Sequence, residues 1–390
     1  MSKLIINRIF KPSVCKNFLR HANVRLFSSA THTSTKVNQP FSSKPAFPFL
    51  LIDYILNNPN SSSDGRVTTN VYGNEKEVLI KDKDLKEEVC DAMTVGFSRD
   101  GLRVELCGNH GDVCSPTIFY KPTDPEIEDL TVDLPPLPTG SQIQSLVMSS
   151  LPKRDKNWVV VVKLLGSQLS MCRPFGSRKW INIQTKPQNI NPSSSIMFSK
   201  KEKKFYVPTP GGNILCYLDP HSEDDDLIDF VELEFDDLPK SVFQELADVS
   251  TCSRTDHLVE SPTGQLFLVK WYGEDLEDID NTTLYNVTKK FMVFKEGEKP
   301  SCVYTKKMIY TEDIGDLCIF VGHSEAFCVP ASSSPGLKPN CIYFVGYNFG
   351  VYDLTTKTCT MFLTKDDNPL RKLEFPYWPP PASFPVLAPN

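Results

Sequence analysis

Residues 322–357 read GHSEAFCVPASSSPGLKPNCIYFVGYNFGVYDLTTK and open a run of four short strand patterns. The patterns cover 326–329, 340–345, 351–354 and 360–363, and the longer ones are rich in Ile, Tyr, Phe and Val, which favour β-strands. The segment between the first two contains Pro and Gly, which force a turn, and Ser, which hydrogen-bonds to local backbone. Four antiparallel strands in about 40 residues have the size of one β-propeller blade.

Strand–turn–strand cycles also recur upstream, at intervals of about 40 residues. One twisted four-stranded sheet cannot bury both of its faces alone, so such units occur as repeats. The sequence therefore predicts an all-β chain with a single kelch-like β-propeller over residues 46–390. We expect about six to seven four-stranded antiparallel blades.

Local signals place several elements along this repeat. The Asp-Gly pair after Arg99 lies between apolar runs and predicts a hairpin, as does the Pro-Thr-Gly at 262–264. Residues 240–248 predict a short helix, and 273–289 an acidic, polar insertion at a loop tip. The apolar segment 46–52 is expected to close the ring against the last blade.

The N-terminal 52 residues contain eight Lys or Arg and no acid. Cations interleaved with apolar residues and many Ser and Thr are typical of a transit peptide. An Arg two residues before Phe27 predicts cleavage near Phe27 and Ser28, with a disordered leader over 1–27 and flexible chain to about residue 45. We expect import machinery to bind the leader and deliver the protein to the mitochondrial matrix. Chloroplast or dual organellar delivery, and a basic terminus without targeting function, stay open.

The composition argues against several classes of ligand. The net charge of −6 disfavours a nucleic-acid surface, and no apolar run is long enough for a membrane span. Twelve scattered cysteines without a Cys-x-x-Cys pair indicate reduced, mostly buried thiols. Cys107, His110 and Cys114 form a cluster that lacks a fourth zinc ligand, so no metal site is predicted.

Catalytic motifs are equally sparse. The chain contains no Gly-x-Ser-x-Gly, no His-Glu-x-x-His, no phosphate loop and no dinucleotide fingerprint. His323 next to Ser324 is not a triad, because triads are defined by geometry. No catalytic, cofactor-binding or metal-binding residue is therefore assigned, and no cofactor is expected.

The C-terminal motifs resemble those of a plant family, the domain of unknown function 295 or KIB-type β-propeller family. The resemblance is dense over 318–385 and looser back to about residue 47. It implies a propeller fold and a structural role for the signature residues. These are Gly322, His323, Pro335, Gly336, Lys338, Pro339, Asn340, Cys341, Tyr343, Gly350 and Asp353.

The resemblance leaves the function open, because one fold hosts many functions. We expect a non-enzymatic protein-interaction scaffold in plant mitochondria, with an unknown protein partner. Other family members carry an F-box and act as substrate receptors of ubiquitin ligases. Here the basic leader occupies that position, so this role is an alternative. An enzyme that uses the propeller channel is a second alternative, and it requires carboxylates or His to converge at the channel mouth.

Overall fold

The computed structural model describes most of the chain between residues 49 and 361. The described residues are 49–56, 67–73, 76–82, 92–97, 99, 103–109, 113–120, 130–138, 141, 143–151, 157–164, 168–185, 189–191, 193–222, 228–277, 284–298, 304–322, 325–333, 337–346 and 349–361. Within these ranges, no helix has the length and apolar character to cross a membrane.

Antiparallel strands dominate the first half of the described chain and form three sheets. Blade 1 contains β1 (Phe49–Leu56), β2 (Val67–Gly73) and β3 (Lys76–Asp82). Blade 2 contains β4 (Ala92–Phe97), β5 (Arg103–Asn109), β6 (Val113–Tyr120) and β7 (Leu130–Asp133). Blade 3 contains β8 (Ile143–Met148), β9 (Val160–Leu164), β10 (Gln168–Cys172) and β11 (Trp180–Ile183).

The second half forms three further units. Blade 4 contains β12 (Met197–Ser199), β13 (Lys204–Pro208), β14 (Ile214–Leu218) and β15 (Ile228–Phe235). Helix α1 (Lys240–Asp248) follows, where the sequence predicted it. Blade 5 contains β16 (Ser253–Glu260), β17 (Leu266–Glu277), β18 (Leu284–Glu296) and β19 (Thr305–Thr311). Blade 6 contains β20 (Leu317–Val321), β21 (Phe327–Pro330), β22 (Cys341–Val345), β23 (Phe349–Asp353) and β24 (Thr358–Met361).

The hydrophobic core lies between blades, and strand alternation divides each blade between two interfaces. On β9, Val160 and Val162 pack toward blade 2, whereas Val159 and Val161, immediately before and within that strand, pack toward blade 4. Successive side chains of a strand point to opposite faces, so one central strand can fill two cores. In the same way, one hydrophobic core fills the interface between blades 4 and 5, and a separate core fills the interface between blades 5 and 6. This packing is that of the predicted all-β propeller.

One edge strand of each of blades 3 to 6 lies toward the centre of the molecule. Strand β8 contacts β12, β12 contacts β16, and β16 contacts β21. At the outside, β15 and β19 pair in parallel and join blades 4 and 5 into one eight-stranded sheet. Polar groups on β12, β16 and the segment before β21 are therefore brought toward a common central channel.

Blade 6 departs from the predicted four-stranded antiparallel unit. The four predicted strands correspond to β21, β22, β23 and β24, but β20 lies between β21 and β22 and pairs in parallel with β22. The sequence showed β20 as one more apolar run, Leu317–Val321, without a signal for its position in the sheet. A strand's neighbour depends on long-range contacts, which its own pattern does not contain.

Strand pairing places two further segments. The described part of the segment expected to close the ring belongs to β1, which pairs with β2 from Phe49↔Gly73 to Leu56↔Val67. Its contact with the last blade stays a prediction, and β24 pairs only with β23 among the described strands. The predicted loop insertion at 273–289 is largely a continuation of β17 and β18, paired as far as Glu277↔Leu284. A bulge between Tyr272 and Gly273 lets the hairpin continue beyond the core.

Candidate functional site at the channel mouth

A charged cluster formed by Arg99, Glu260, Glu325 and Ser199, here called the Arg99 cluster, brings together four blades. Arg99 lies between β4 and β5, Glu260 ends β16, and Glu325 precedes β21. The Arg99 Nη1 lies 3.4 Å from Glu260 Oε2, and Nε lies 3.7 Å from Glu325 Oε1. The three charged side chains are 9%, 5% and 1% exposed, so solvent screens them weakly.

Backbone and hydroxyl donors complete the surroundings of the two carboxylates. The Arg99 amide donates to Glu325 Oε2 at 3.0 Å. Glu260 accepts hydrogen bonds from the Ser199 hydroxyl at 2.8 Å and from the amides of Lys200 and Lys201 at 2.7 and 3.1 Å. Since blades 3 and 4 separate blade 2 from blade 5 along the chain, the Arg99 side chain bridges across the channel mouth.

A histidine lies on the same inner strand, three residues before Glu260 and on the opposite face of the strand. His257 is buried, and its Nδ1 lies 3.2 Å from the Ser195 hydroxyl, while Nε2 lies 3.3 Å from the Thr255 hydroxyl. Its ring centroid lies 6.0 Å from that of Trp271. The imidazole lies between two hydroxyl groups, neither of which is the carboxylate that strengthens the base in a catalytic triad.

Lys163 is a second buried polar group near the axis. It lies on β9, opposite Ser145 on β8, and is fully buried. Its ammonium donates to the carbonyl of Asn191 at 2.7 Å and also to that of Ser194. Burial lowers the pKa of Lys163 to about 7, because desolvation disfavours the charged form.

Between blades 4 and 5 lies a further ion pair. Arg254 Nε is 3.1 Å from Asp256 Oδ1, and the carboxylate is fully buried. Burial raises the pKa of Asp256 and lowers the pKa of its cross-strand partner Lys270 to about 8. The Lys270 ammonium lies 4.5 Å from the Phe235 ring centroid, so an aromatic face replaces part of its lost hydration.

The structure places only some of the residues predicted from the sequence. Phe27 and Ser28, the predicted cleavage site, lie outside the described residues, as do His323, Pro335 and Gly336. Cys107 and Cys114 lie on β5 and β6, where Gly108 pairs with Cys114, and His110 is not described. Among the described residues, no group of three His, Cys, Asp or Glu could hold a metal ion.

The described signature residues meet around the turns of blade 6, away from the Arg99 cluster. Asn340 has a positive φ of 57°, its Oδ1 accepts from the Ile314 amide, and its Nδ2 donates to Glu312 O and Thr355 Oγ1, all at 2.9 Å. The Asp353 carboxylate accepts from the amide of Thr355 at 2.8 Å. These contacts connect the β19–β20 turn to β22 and β23.

The other described signature residues also make contacts within this blade. The Tyr343 hydroxyl accepts from the Lys338 amide at 3.0 Å, and the Lys338 carbonyl accepts from the Cys318 thiol at 2.9 Å. A Cβ on Gly322 would come 2.9 Å from the carbonyl oxygen of Val345, and one on Gly350 would overlap the backbone of β24. Pro339 lies in the turn before β22, and Cys341 is buried in that strand.

The family model for the KIB1-4 beta-propeller matches residues 123–360, more than half of the chain. The chain belongs to the KIB1-4 beta-propeller family. The match covers blades 3 to 6 and the last strand of blade 2. Of the Arg99 cluster, this KIB1-4 propeller has Ser199, Glu260 and Glu325 inside the matched region, and Arg99 before it. No curated protein matches the sequence significantly.

Solved structures similar to this KIB1-4 propeller share little sequence with it. A periplasmic gluconolactonase from Pseudomonas aeruginosa has a TM-score of 0.34 and 9% identity over 84% of this chain and 97% of its own. A protein from Lactobacillus plantarum has a TM-score of 0.35 and 10% identity over 85% and 98%. Hsv2 from Kluyveromyces lactis has a TM-score of 0.27 and 10% identity over 64% and 73%. Similarities this low carry no information on activity.

Sequence reasoning missed the Arg99 cluster. Arg99 precedes the predicted Asp-Gly turn, Glu260 lies just before the predicted Pro-Thr-Gly turn, and Glu325 lies two residues after His323. No local signal connects them, because they are separated by 161 and 226 residues from Arg99.

Proposed function

We propose that this KIB1-4 propeller is a non-enzymatic protein-interaction scaffold of the mitochondrion. The observation that carries the proposal is that the charged groups at the channel mouth are already paired with other groups of the chain. Its two buried carboxylates are held by one Arg side chain and by amide and hydroxyl donors. Acid–base catalysis needs a carboxyl group that can reach a substrate proton, and these groups contact other parts of the chain instead.

The blades supply what a scaffold needs. Each described interblade interface has its own hydrophobic core, so the blades form rigid supports for surface loops. The loops at the rim of the propeller are then available for partner recognition. The acid-free N-terminal leader supports the mitochondrial part of the proposal.

A second candidate function, catalysis in the channel, is favoured by one observation. His257 lies within hydrogen-bonding distance of the Ser195 hydroxyl, on the same inner strand as Glu260. A serine nucleophile activated in this way would release p-nitrophenol from p-nitrophenyl acetate. The scaffold proposal expects the same slow release from the wild-type protein and from Ser195→Ala and His257→Gln. Release that depends on both residues would favour the enzyme.

The test of the scaffold proposal measures both where the protein is located and which proteins lie close to it. The full chain and a chain without residues 1–45 are each expressed with a C-terminal biotin-ligase fusion, and labelled proteins are identified by mass spectrometry. A control carries residues 1–45 on a fluorescent protein with the same biotin ligase. We expect the full chain to enter mitochondria and to enrich specific proteins above this control, and the truncated chain to remain outside.

Two results would overturn the proposal. If both chains stay in the cytosol or nucleus and enrich ubiquitin-ligase adaptor proteins, the substrate-receptor alternative replaces it. If the full chain enters mitochondria but labels no protein beyond those labelled by the leader control, the proposed location is right and the scaffold function is wrong. If a Glu260→Gln chain enriches the same proteins as the wild type, the partner binds outside the Arg99 cluster.

A further inference from the structure

The outer edge of blade 3 is formed by a strand that has no neighbour on its outer side among the described residues. Strand β11 is the last strand of its sheet and pairs only with β10 among the described strands. In the next two blades the corresponding outer strands, β15 and β19, pair with each other and so cover their edges. An outer strand with free amide and carbonyl groups can accept an added strand from another chain.

Apolar side chains are exposed next to this edge. Phe175, in the turn between β10 and β11, is 55% exposed, and Ile181 on β11 is 39% exposed. Ile181 lies on the same face of β11 as Ile183, which packs in the core shared with blade 4. A strand added beside β11 would place every second side chain over Ile181, thereby continuing that core outward.

The charge of the same segment has one sign. Residues 168–185 contain the cations Arg173, Arg178 and Lys179 and no acid, in a chain whose net charge is −6. Arg178 and Lys179 are exposed, and neither forms an ion pair with a described residue. Exposed cations beside the outer strand of a sheet favour an acidic partner.

The turn that presents these groups is ordered by its own contacts. The Arg173 carbonyl accepts from the amides of Gly176 and Arg178 at 3.0 and 3.3 Å. Its guanidinium donates to the Pro220 carbonyl of blade 4. The Phe175 ring meets the buried Trp158 edge-on, with centroids 6.1 Å apart. Binding here would therefore cost little ordering of the turn.

We propose that an extended, acidic segment of a partner protein adds as a strand to β11. Its acidic side chains would contact Arg178 and Lys179, and its alternate apolar side chains would cover Ile181. This inference rests on the proposed scaffold function and names the partner's chemistry and its docking surface. We call residues 173–183 the basic edge.

Synthetic peptides test the chemistry directly. A fluorescent peptide of about ten residues in which Glu alternates with Val is titrated with the full chain, and its anisotropy is measured. We expect saturable binding, at least about tenfold weaker when Lys replaces Glu. A central Pro should also weaken binding, because Pro has no amide hydrogen to pair with β11. Amide hydrogen exchange at 180–183 should slow when the Glu–Val peptide binds.

Acidic residues of the chain itself can compete with the peptide for the basic edge. Residues 223–226, just after Pro220, are all acidic. The titration is therefore repeated on a chain carrying Glu223→Gln, Asp224→Asn, Asp225→Asn and Asp226→Asn together. The proposal requires selective binding of the Glu–Val peptide by at least one of the two chains. Equal binding of the Glu–Val and Lys–Val peptides, or no binding by either chain, overturns it.

A matched pair of variants separates this surface from general changes in charge. Lys179→Glu with Ile181→Thr alters the basic edge and keeps a β-branched residue in the strand. Lys240→Glu with Phe243→Gln makes the same kind of change on exposed residues of α1. We expect only the first variant to lose peptide binding, by at least about tenfold, with unchanged unfolding midpoints for both.

Proximity labelling with the same variants distinguishes the two proposals. Loss of specific partners only from the Lys179→Glu and Ile181→Thr chain supports the basic edge. If wild type and both variants enrich the same partners, the scaffold function stands and the basic edge is wrong. If none of the three enriches any partner above the leader control, the scaffold function itself fails.

Discussion

A buried lysine shows how one residue makes stability depend on pH. Burial lowers the pKa of Lys163 to about 7, whereas the lysine of an unfolded chain stays protonated to about pH 10. Unfolding between these values takes up a proton, so the free energy of unfolding rises with pH, by up to about 1.4 kcal/mol per pH unit. We expect Lys163→Met to lose most of this rise when urea unfolding is measured between pH 7 and 8.5. A smaller rise should remain from Lys270, because burial lowers its pKa to about 8.

The range ends at pH 8.5 because buried thiols act in the opposite direction. Burial raises the pKa of Cys216 and Cys318 to about 12, so above pH 9 the unfolded chain loses protons that the folded chain retains. Lys200→Met, at an exposed lysine, is the control for charge. Parallel pH profiles for wild type and Lys163→Met would show that the buried amine does not govern the slope.

Asn340 combines a left-handed backbone with three side-chain hydrogen bonds. Asn340→Gly keeps the backbone freedom and loses the hydrogen bonds, at a cost of about 1–3 kcal/mol. Asn340→Ala loses the same hydrogen bonds but retains a Cβ in the left-handed region, where Ala is less favourable than Asn, so it should be about 1–2 kcal/mol less stable than Asn340→Gly. Urea denaturation should therefore rank wild type above Gly and Gly above Ala. Equal stability of the two variants would contradict the backbone part of the argument.

At the level of elements, close contact between β23 and β24 depends on Gly350. A Cβ there would overlap the carbonyl oxygen of Thr360 on the neighbouring strand. Gly350→Ala must therefore displace β24, and we expect a loss of about 2–3 kcal/mol in the free energy of unfolding. Gly315→Ala is the control, because Gly315 has a φ of +69° but no atom within 4 Å of its Cβ position.

The control separates steric overlap from backbone strain. Gly315→Ala should cost only about 1 kcal/mol, from the left-handed conformation alone. Thermal unfolding of both variants measures the difference. A Gly350→Ala protein as stable as Gly315→Ala would mean that β24 can move away from β23 at little cost.

For the whole molecule, the Arg99 cluster connects blades that are distant along the chain. Arg99→Met would leave two buried carboxylates without their cation, and breaking such a pair costs about 3–5 kcal/mol. The cost should be smaller in a Glu325→Gln background, because one of the two charges is then absent. A double-mutant cycle in urea measures this coupling, which we expect to exceed about 1 kcal/mol.

An exposed ion pair provides the comparison for that cycle. Lys307 and Asp236 lie 3.0 Å apart with more than two-fifths of each side chain exposed, so Lys307→Met should cost less than about 1 kcal/mol. Strict additivity of Arg99→Met and Glu325→Gln would show that Arg99 does not bridge blade 2 to blade 6 in solution.

The amino-acid sequence by itself determined the local structure of this protein. Alternating apolar runs predicted most strands, Asp-Gly and Pro-Thr-Gly predicted two hairpins, and residues 240–248 form α1 as expected. These features depend on side-chain period and turn chemistry, which act over a few residues. The repetition of such units, together with the blade 6 motifs, was enough to predict a propeller.

Only the tertiary structure decided which distant residues meet. It placed β20 between β21 and β22, and it placed β1 in a separate sheet with β2 and β3. It also brought Arg99 close to Glu260 and Glu325. It also left the outer edge of β11 without a partner among the described strands, whereas β15 and β19 pair with each other. The physical reason is that such contacts depend on how complete blades pack around the axis, and a strand pattern specifies its two faces but not its neighbours.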